Sequence, residues 1–199
     1  MGQLALILGG ARSGKSRFAQ DLARQLGGDD VLFVATAEAC DDEMSRRIDI
    51  HRQSRPAVWR TLEQPRDTGR AIAEIATPPR VILLDCLTLL VSNIVLQCDE
   101  CVDLPEQRMR AEITDLLDVV KQQESTMIVV SGEVGMGLVP ENRIGRLFRD
   151  LLGWANQLIA REATSTYLMV AGLPINVTSM AASVQQVASE LSSVNGDGR

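Results

Sequence analysis

Leu4-Ala5-Leu6-Ile7-Leu8-Gly9-Gly10-Ala11-Arg12-Ser13-Gly14-Lys15-Ser16 runs from a continuous apolar stretch into the pattern G-x-x-x-x-G-K-S. The apolar stretch reads as a strand buried on both faces. Phe18, Leu22 and Leu26 follow at helical spacing. The glycine-rich turn therefore sits between a strand and a helix, the context a P-loop requires. In such a loop, successive backbone N–H groups wrap phosphates, and the helix N-terminus adds a favourable field for negative charge. The pattern assigns Gly9, Gly10, Ala11, Arg12, Ser13 and Gly14 to the cradle. It assigns Lys15 to the β- and γ-phosphates and the Ser16 hydroxyl to Mg²⁺.

Outward from this loop, short apolar runs alternate with helical patterns. Strands are expected at 4–8, 31–35, 81–84, 127–130 and 167–170, with a short extra one within 57–63. Helices are expected at 16–26, 42–52, 66–76, 87–97, 106–123 and 141–162. The last has the clearest apolar stripe, from Ile144 to Ile159, with Pro140 read as its first-turn proline. This alternation predicts an α/β fold with a mainly parallel sheet, right-handed crossovers and ligands at the carboxyl ends of the strands. A single domain over 1–177 is expected, followed by a weakly ordered tail over 178–199. Within that tail, 182–191 has a weak helical pattern and 195–199 reads as disordered.

The 199 residues are 45% hydrophobic and 23% charged, ordinary for a globular protein of one domain. A net charge of −6 argues against a general nucleic-acid binder. No apolar run reaches membrane-spanning length, and no leader is recognised, so a cytoplasmic location is expected. Cys98 and Cys101 form one C-x-x-C, and the chain has a single histidine. A zinc site would need Cys40 and Cys86 as well, from distant segments. Free thiols in a reducing compartment are the simpler reading.

Three further clusters can carry chemistry. Val81-Ile82-Leu83-Leu84-Asp85 is an apolar strand ending in a carboxylate, the form of a Walker B strand. Placed beside the P-loop strand, Asp85 would hold Mg²⁺; the alternative is an Asp capping the next helix. Around the single histidine, Glu43, Arg47 and His51 share one helical face, with Arg52 and Arg55 following. One reading is a solvated histidine near a helix C-terminus. The other is a neutral imidazole that attacks phosphorus, with the arginines neutralising phosphate charge. Val130-Ser131-Gly132-Glu133-Val134-Gly135-Met136-Gly137 follows a strand, and its glycines suggest backbone close to a ligand or a mobile loop. Glu133 fits either a general base or a metal-shell residue there.

With these clusters goes a resemblance that runs from about Leu4 to about Pro174. The P-loop, Ala35-Thr36-Ala37-Glu38, Asp41-Asp42-Glu43-Met44 with His51, Trp59-Arg60-Thr61 with Glu63, and Asp85-Cys86-Leu87-Thr88-Leu89 carry it. So do Glu133-Val134-Gly135-Met136-Gly137, Val139-Pro140-Glu141-Asn142-Arg143 and Ala171-Gly172-Leu173-Pro174. Together they closely resemble the bifunctional adenosylcobinamide kinase / adenosylcobinamide-phosphate guanylyltransferase family of cobalamin biosynthesis. The resemblance implies a RecA-like P-loop NTPase fold and a homotrimer. It implies that ATP or GTP phosphorylates adenosylcobinamide, and that GTP then donates GMP to the product. His51 matches the family's transient GMP carrier. Nucleotide contacts carry over to Gly9–Ser16, to Ala35, Thr36 and Ala37, to Arg52, Gln53, Ser54 and Arg55, and to Glu63 and Asp85. Where family members often carry Asn, this chain has Gly132, and the Cys98–Cys101 pair is not a family hallmark. Attack at two different phosphorus atoms from one cradle suggests that His51 rides on a mobile helix. The competing readings are a simple small-molecule P-loop kinase with a structural His51, and a non-catalytic nucleotide-binding module. Neither needs the block from His51 to Glu63.

Overall fold

The computed structural model describes residues 2–39, 41–53, 55–97 and 105–194. Its strands are β1 (Leu4–Gly9), β2 (Val31–Ala35), β3 (Arg60–Glu63), β4 (Val81–Asp85), β5 (Thr126–Val130), β6 (Ser165–Val170) and β7 (Leu173–Asn176). Its helices are α1 (Lys15–Gly27), α2 (Asp42–Gln53), α3 (Thr68–Ala73), α4 (Leu87–Gln97), α5 (Pro105–Gln122), α6 (Arg143–Glu162) and α7 (Val184–Val194). The strands form one sheet in the order β3-β2-β4-β5-β1-β6-β7, parallel except for the β6–β7 pair. The α/β reading and its mainly parallel sheet are therefore correct.

The continuous apolar strands bury both faces, and alternate residues feed two separate cores. Leu4, Leu6, Ile82 and Leu84 point to the side covered by α3, α4, α5 and α6. Ala5, Ile7, Val81 and Leu83 point to the side where Ala19 and Ala23 of α1 pack. A sheet covered on both sides is what makes such strands apolar at every position.

Local readings are settled in four places. The short strand within 57–63 exists as β3, at the sheet edge. Helix α3 is shorter than 66–76. Its start is set from 44 residues away in sequence, where Glu112 accepts the Thr68 N–H at 2.6 Å and the Asp67 N–H at 2.8 Å. Helix α6 begins at Arg143, with Asn142 as cap accepting the Gly145 N–H, so Pro140 precedes the helix rather than opening it. Strand β7 was not expected. Ala171 and Gly172, both at positive φ, make a two-residue turn that folds it back on β6, as twist-matched hairpins do.

The tail carries a 3₁₀ turn (Thr178–Met180) and α7, and its described side chains are exposed. Residues 195–199, Cys40, Cys98 and Cys101 lie outside the described residues, and so do the expectations placed on them. Among the described residues no helix is long and apolar enough to cross a membrane.

Candidate active site

Gly9 ends β1 and begins the loop. A Cβ there would lie 2.7 Å from the Met169 carbonyl oxygen, so no side chain fits. Gly14, at φ 93°, is the N-cap of α1, in the left-handed region that favours glycine. The loop is held at both flanks. The Gly172 N–H of the β6–β7 turn donates to the Ser13 carbonyl at 3.0 Å, and the Glu133 N–H donates to the Gly9 carbonyl at 3.1 Å. The hairpin missed in the sequence thus braces the P-loop.

Above the loop lies a cavity of about 370 Å³, walled by Lys15, Ser16, His51, Arg55, Asp85 and Glu133 among others. Phe33, Met44, Ile48 and Leu89 give it an apolar side. The Lys15 ammonium donates to the Gly10 carbonyl at 2.6 Å. Burial pushes its pKa down, against the opposing pull of Cys86 and Asp85.

Asp85 reaches this cavity by a route other than the expected one. Strand β4 is not the neighbour of β1, because β5 lies between them. The P-loop spans that gap, and the Asp85 carboxylate accepts from Ser16. Burial drives the Asp85 pKa up, countered by Ser16, His51, Arg55 and Lys15. Its Oδ2 is buried with no hydrogen-bond partner. A buried carboxylate oxygen left unpartnered beside a hydroxyl is an oxygen donor set that suits a hard divalent cation. The carboxylate faces Ser16 rather than capping α4. Among the described residues no cluster of three or more His, Cys, Asp or Glu could hold a metal. Ser16 and Asp85 would therefore share a cation with substrate oxygens or water, as Mg²⁺ prefers.

Of the Ala35-Thr36-Ala37 stretch, Ala37 lines the cavity. Thr36 is fully buried and acts as a strut. Its hydroxyl donates to the Cys86 carbonyl at 2.6 Å and accepts the Cys86 N–H at 3.0 Å. The Asn93 amide donates to the Thr36 carbonyl at 2.8 Å. Burial, with Asp85 adjacent, pushes the Cys86 thiol up to about 12, so it is an inert wall residue rather than a nucleophile.

The segment after β2 supplies the other wall. Asp41 caps α2, accepting the Met44 N–H at 2.7 Å. His51 sits in the last turn of α2 and lines the cavity. Arg52 pairs with Glu63 at the end of β3, in a half-exposed contact that ties α2 to the sheet edge. Arg55 lies over the Phe33 ring, 3.9 Å from its centroid, with Nε and Nη1 buried and unpartnered. Arg55 also borders a second cavity of about 270 Å³ that contains Arg52, Asp49 and Glu63. Arg12 is at positive φ in the loop, Gln53 ends α2, and Ser54 lies outside the described residues. Sequence reasoning missed Phe33 as the shelf for Arg55, because an aromatic in a buried strand reads only as core.

A parallel α/β sheet with a phosphate cradle after β1 and a buried carboxylate after β4 defines a P-loop nucleotide-binding protein. The fold is similar to that of a solved ATPase domain, with a TM-score of 0.50 and 15% identity, covering 83% of this chain and 68% of that one. The chain belongs to the cobinamide kinase / cobinamide phosphate guanyltransferase family, whose model matches residues 5–177. It is 44% identical over 170 residues to the bifunctional adenosylcobalamin biosynthesis protein CobP of Pseudomonas aeruginosa, covering 85% of this chain and 94% of that protein. It is 38% identical over 181 residues to the bifunctional adenosylcobalamin biosynthesis protein CobU of Escherichia coli, covering 87% and 99%.

Proposed function

We propose that this chain phosphorylates the hydroxyl of adenosylcobinamide with ATP or GTP, then transfers GMP from GTP to that phosphate through a guanylyl-His51 intermediate. The observation that carries this reading is the meeting of His51 with Lys15, Ser16 and Asp85 around one cavity. A plain kinase does not need an imidazole at that place. In the second reaction the imidazole nitrogen attacks the α-phosphorus. The N–P bond forms as the Pα–O–Pβ bridge breaks, and pyrophosphate leaves. An oxygen of the substrate phosphate then displaces His51 and takes the GMP. Lys15 and the loop N–H groups hold the phosphates, and Arg55, stacked on Phe33, brings positive charge to the same cavity. Mg²⁺ at Ser16 and Asp85 would neutralise phosphate charge when bound. Glu63, Arg52, Ala37 and the second cavity adjoining Arg55 are assigned to the rest of the nucleotide.

The catalytic unit is residues 1–177, with 178–199 as an appended tail, and the enzyme works in the cytoplasm as a homotrimer. Exposed apolar side chains support assembly. Leu138 and Met136 after β5 are 96% and 83% exposed, and Leu173 on edge strand β7 is 69% exposed. Exposed apolar side chains and an open sheet edge are each more often interfaces than free surface.

The test uses the whole protein with Mg²⁺, GTP and cobinamide, with corrinoid products read by mass. The expected products are cobinamide phosphate and then its GDP adduct. Lys15→Ala lowers both by roughly 10²-fold or more, since both need the cradle. Product limited to the phosphate would reduce the chain to a kinase, and no product would leave only nucleotide binding.

A further inference from the structure

We propose that Glu133 is the general base of the phosphoryl-transfer step and that guanylyl transfer does not use it. The proposal rests on the pair of reactions above. Those reactions differ in what their nucleophiles must lose. An alcohol oxygen attacking the γ-phosphorus carries a proton that has to go as the new bond forms. A neutral imidazole nitrogen and a phosphate oxygen already offer a bare lone pair. One carboxylate base therefore serves one reaction only.

Among the described residues lining the main cavity, Asp85 and Glu133 are the carboxylates. Asp85 is committed to Ser16 and surrounded by Lys15, His51 and Arg55. Together with Ser16 it is the oxygen set that suits the divalent cation, so its lone pairs are engaged there rather than on a substrate proton. Glu133 lies three residues after β5, the strand inserted between the P-loop strand and the Asp85 strand. Its own N–H is bonded to Gly9, so it is fixed to the start of the cradle. The Gly135 N–H donates to its Oε1 at 2.6 Å, and Arg149 holds the Gly135 carbonyl at 2.7 Å. A Cβ at Gly135 would sit 2.9 Å from Oε1, so a side chain there would push the carboxylate off its present place on the loop. On the other side, the Gly132 N–H donates to Thr88 Oγ1 at 2.6 Å, and Asn156 Nδ2 donates to the Gly132 carbonyl at 3.0 Å. The Gly135 N–H holds one carboxylate oxygen and the pinned Gly132 peptide fixes the backbone that carries it, as a proton acceptor of fixed position requires.

In the step, the substrate O–H bond breaks and its proton passes to the Glu133 oxygen not held by Gly135. The O–Pγ bond forms, and the Pβ–O–Pγ bridge breaks with its electron pair leaving on the diphosphate. Glu133 then returns the proton to water.

The experiment compares the whole protein and Glu133→Gln in two assays. One follows phosphate from γ-labelled ATP to cobinamide; the other follows label from α-labelled GTP onto the protein with no corrinoid present. The expected result is a fall in kinase kcat of about 10²- to 10⁴-fold with KM within a few-fold. Protein labelling stays within about tenfold of wild type. Gly135→Ala lowers the same kinase kcat, by less. Kinase turnover in Glu133→Gln within tenfold of wild type would overturn the proposal. So would a parallel loss of both activities, which would make Glu133 a structural or metal-shell residue. Neither label in the wild type would overturn the functional reading itself, and this proposal with it.

Discussion

Helices α1 and α2 border the same cavity and carry its two chemical ends, yet they are built on opposite terms. Helix α1 buries Ala19, Ala23 and Gly27 against the sheet, and its first residue is Lys15. Helix α2 buries none of its described side chains, although it carries His51. Its apolar residues are few: Met44 and Ile48 line the cavity, and Ile50 is 66% exposed. Among its described contacts are a cap at Asp41, those two cavity contacts and the half-exposed Arg52–Glu63 pair. Such a helix opens locally at far lower cost than a core element. The lesson is a division of labour. The P-loop lysine opens a helix packed into the core, whereas His51, the proposed nucleophile, sits on a helix with none of its described side chains buried.

The contrast can be broken by substitutions that report on each side. Leu83, fully buried in β4 under α1, belongs to the frame. Leu83→Ala should cost about 2–5 kcal/mol of stability, read by urea unfolding. A cost near zero would mean that the frame is not the tightly packed side.

Glu112 sharpens the same point at intermediate size. Its buried carboxylate caps α3 for the frame, and burial raises its pKa, with the Thr68 and Asp67 N–H groups opposing. Glu112→Gln presents an NH₂ to one of two N–H donors, a loss of about 1–3 kcal/mol. The pH dependence has a definite sign. The folded state holds this proton more tightly than the unfolded one, so the Glu112 contribution falls as pH rises from the ordinary value of about 4.3 through the raised one. Stability curves of wild type and variant should therefore converge across that window, and parallel curves would remove the burial effect. At the small end, Ile50→Ala on α2 should change stability by no more than about 0.5 kcal/mol. A loss as large as that of Leu83→Ala would show that α2 is part of the frame.

The parts of the fold that could be read from sequence are those whose signals are local. Continuous apolar runs marked β1, β2, β4, β5 and β6, and the glycines and Lys15 marked the cradle. Strand β7 escaped because Pro174 and its exposed neighbours look like loop, and proline is tolerated only because β7 is the edge. The start of α3 depends on Glu112, far away in sequence, and no local pattern announces it. The separation of Asp85 from the P-loop strand is likewise a matter of strand order, which a parallel sheet does not write into any single segment. Glu133 could be placed near the site from its position after an apolar strand, but its bond to the start of the cradle follows from the strand order.

In the proposed reaction sequence His51 carries GMP between GTP and the substrate phosphate. The most direct measurement incubates wild type and His51→Ala with Mg²⁺ and α-labelled GTP, then assays label bound to protein that is acid-labile and base-stable. Such label is expected on the wild type and none on His51→Ala, with phosphorylation of cobinamide retained in the variant. Label of that stability persisting on His51→Ala would contradict it.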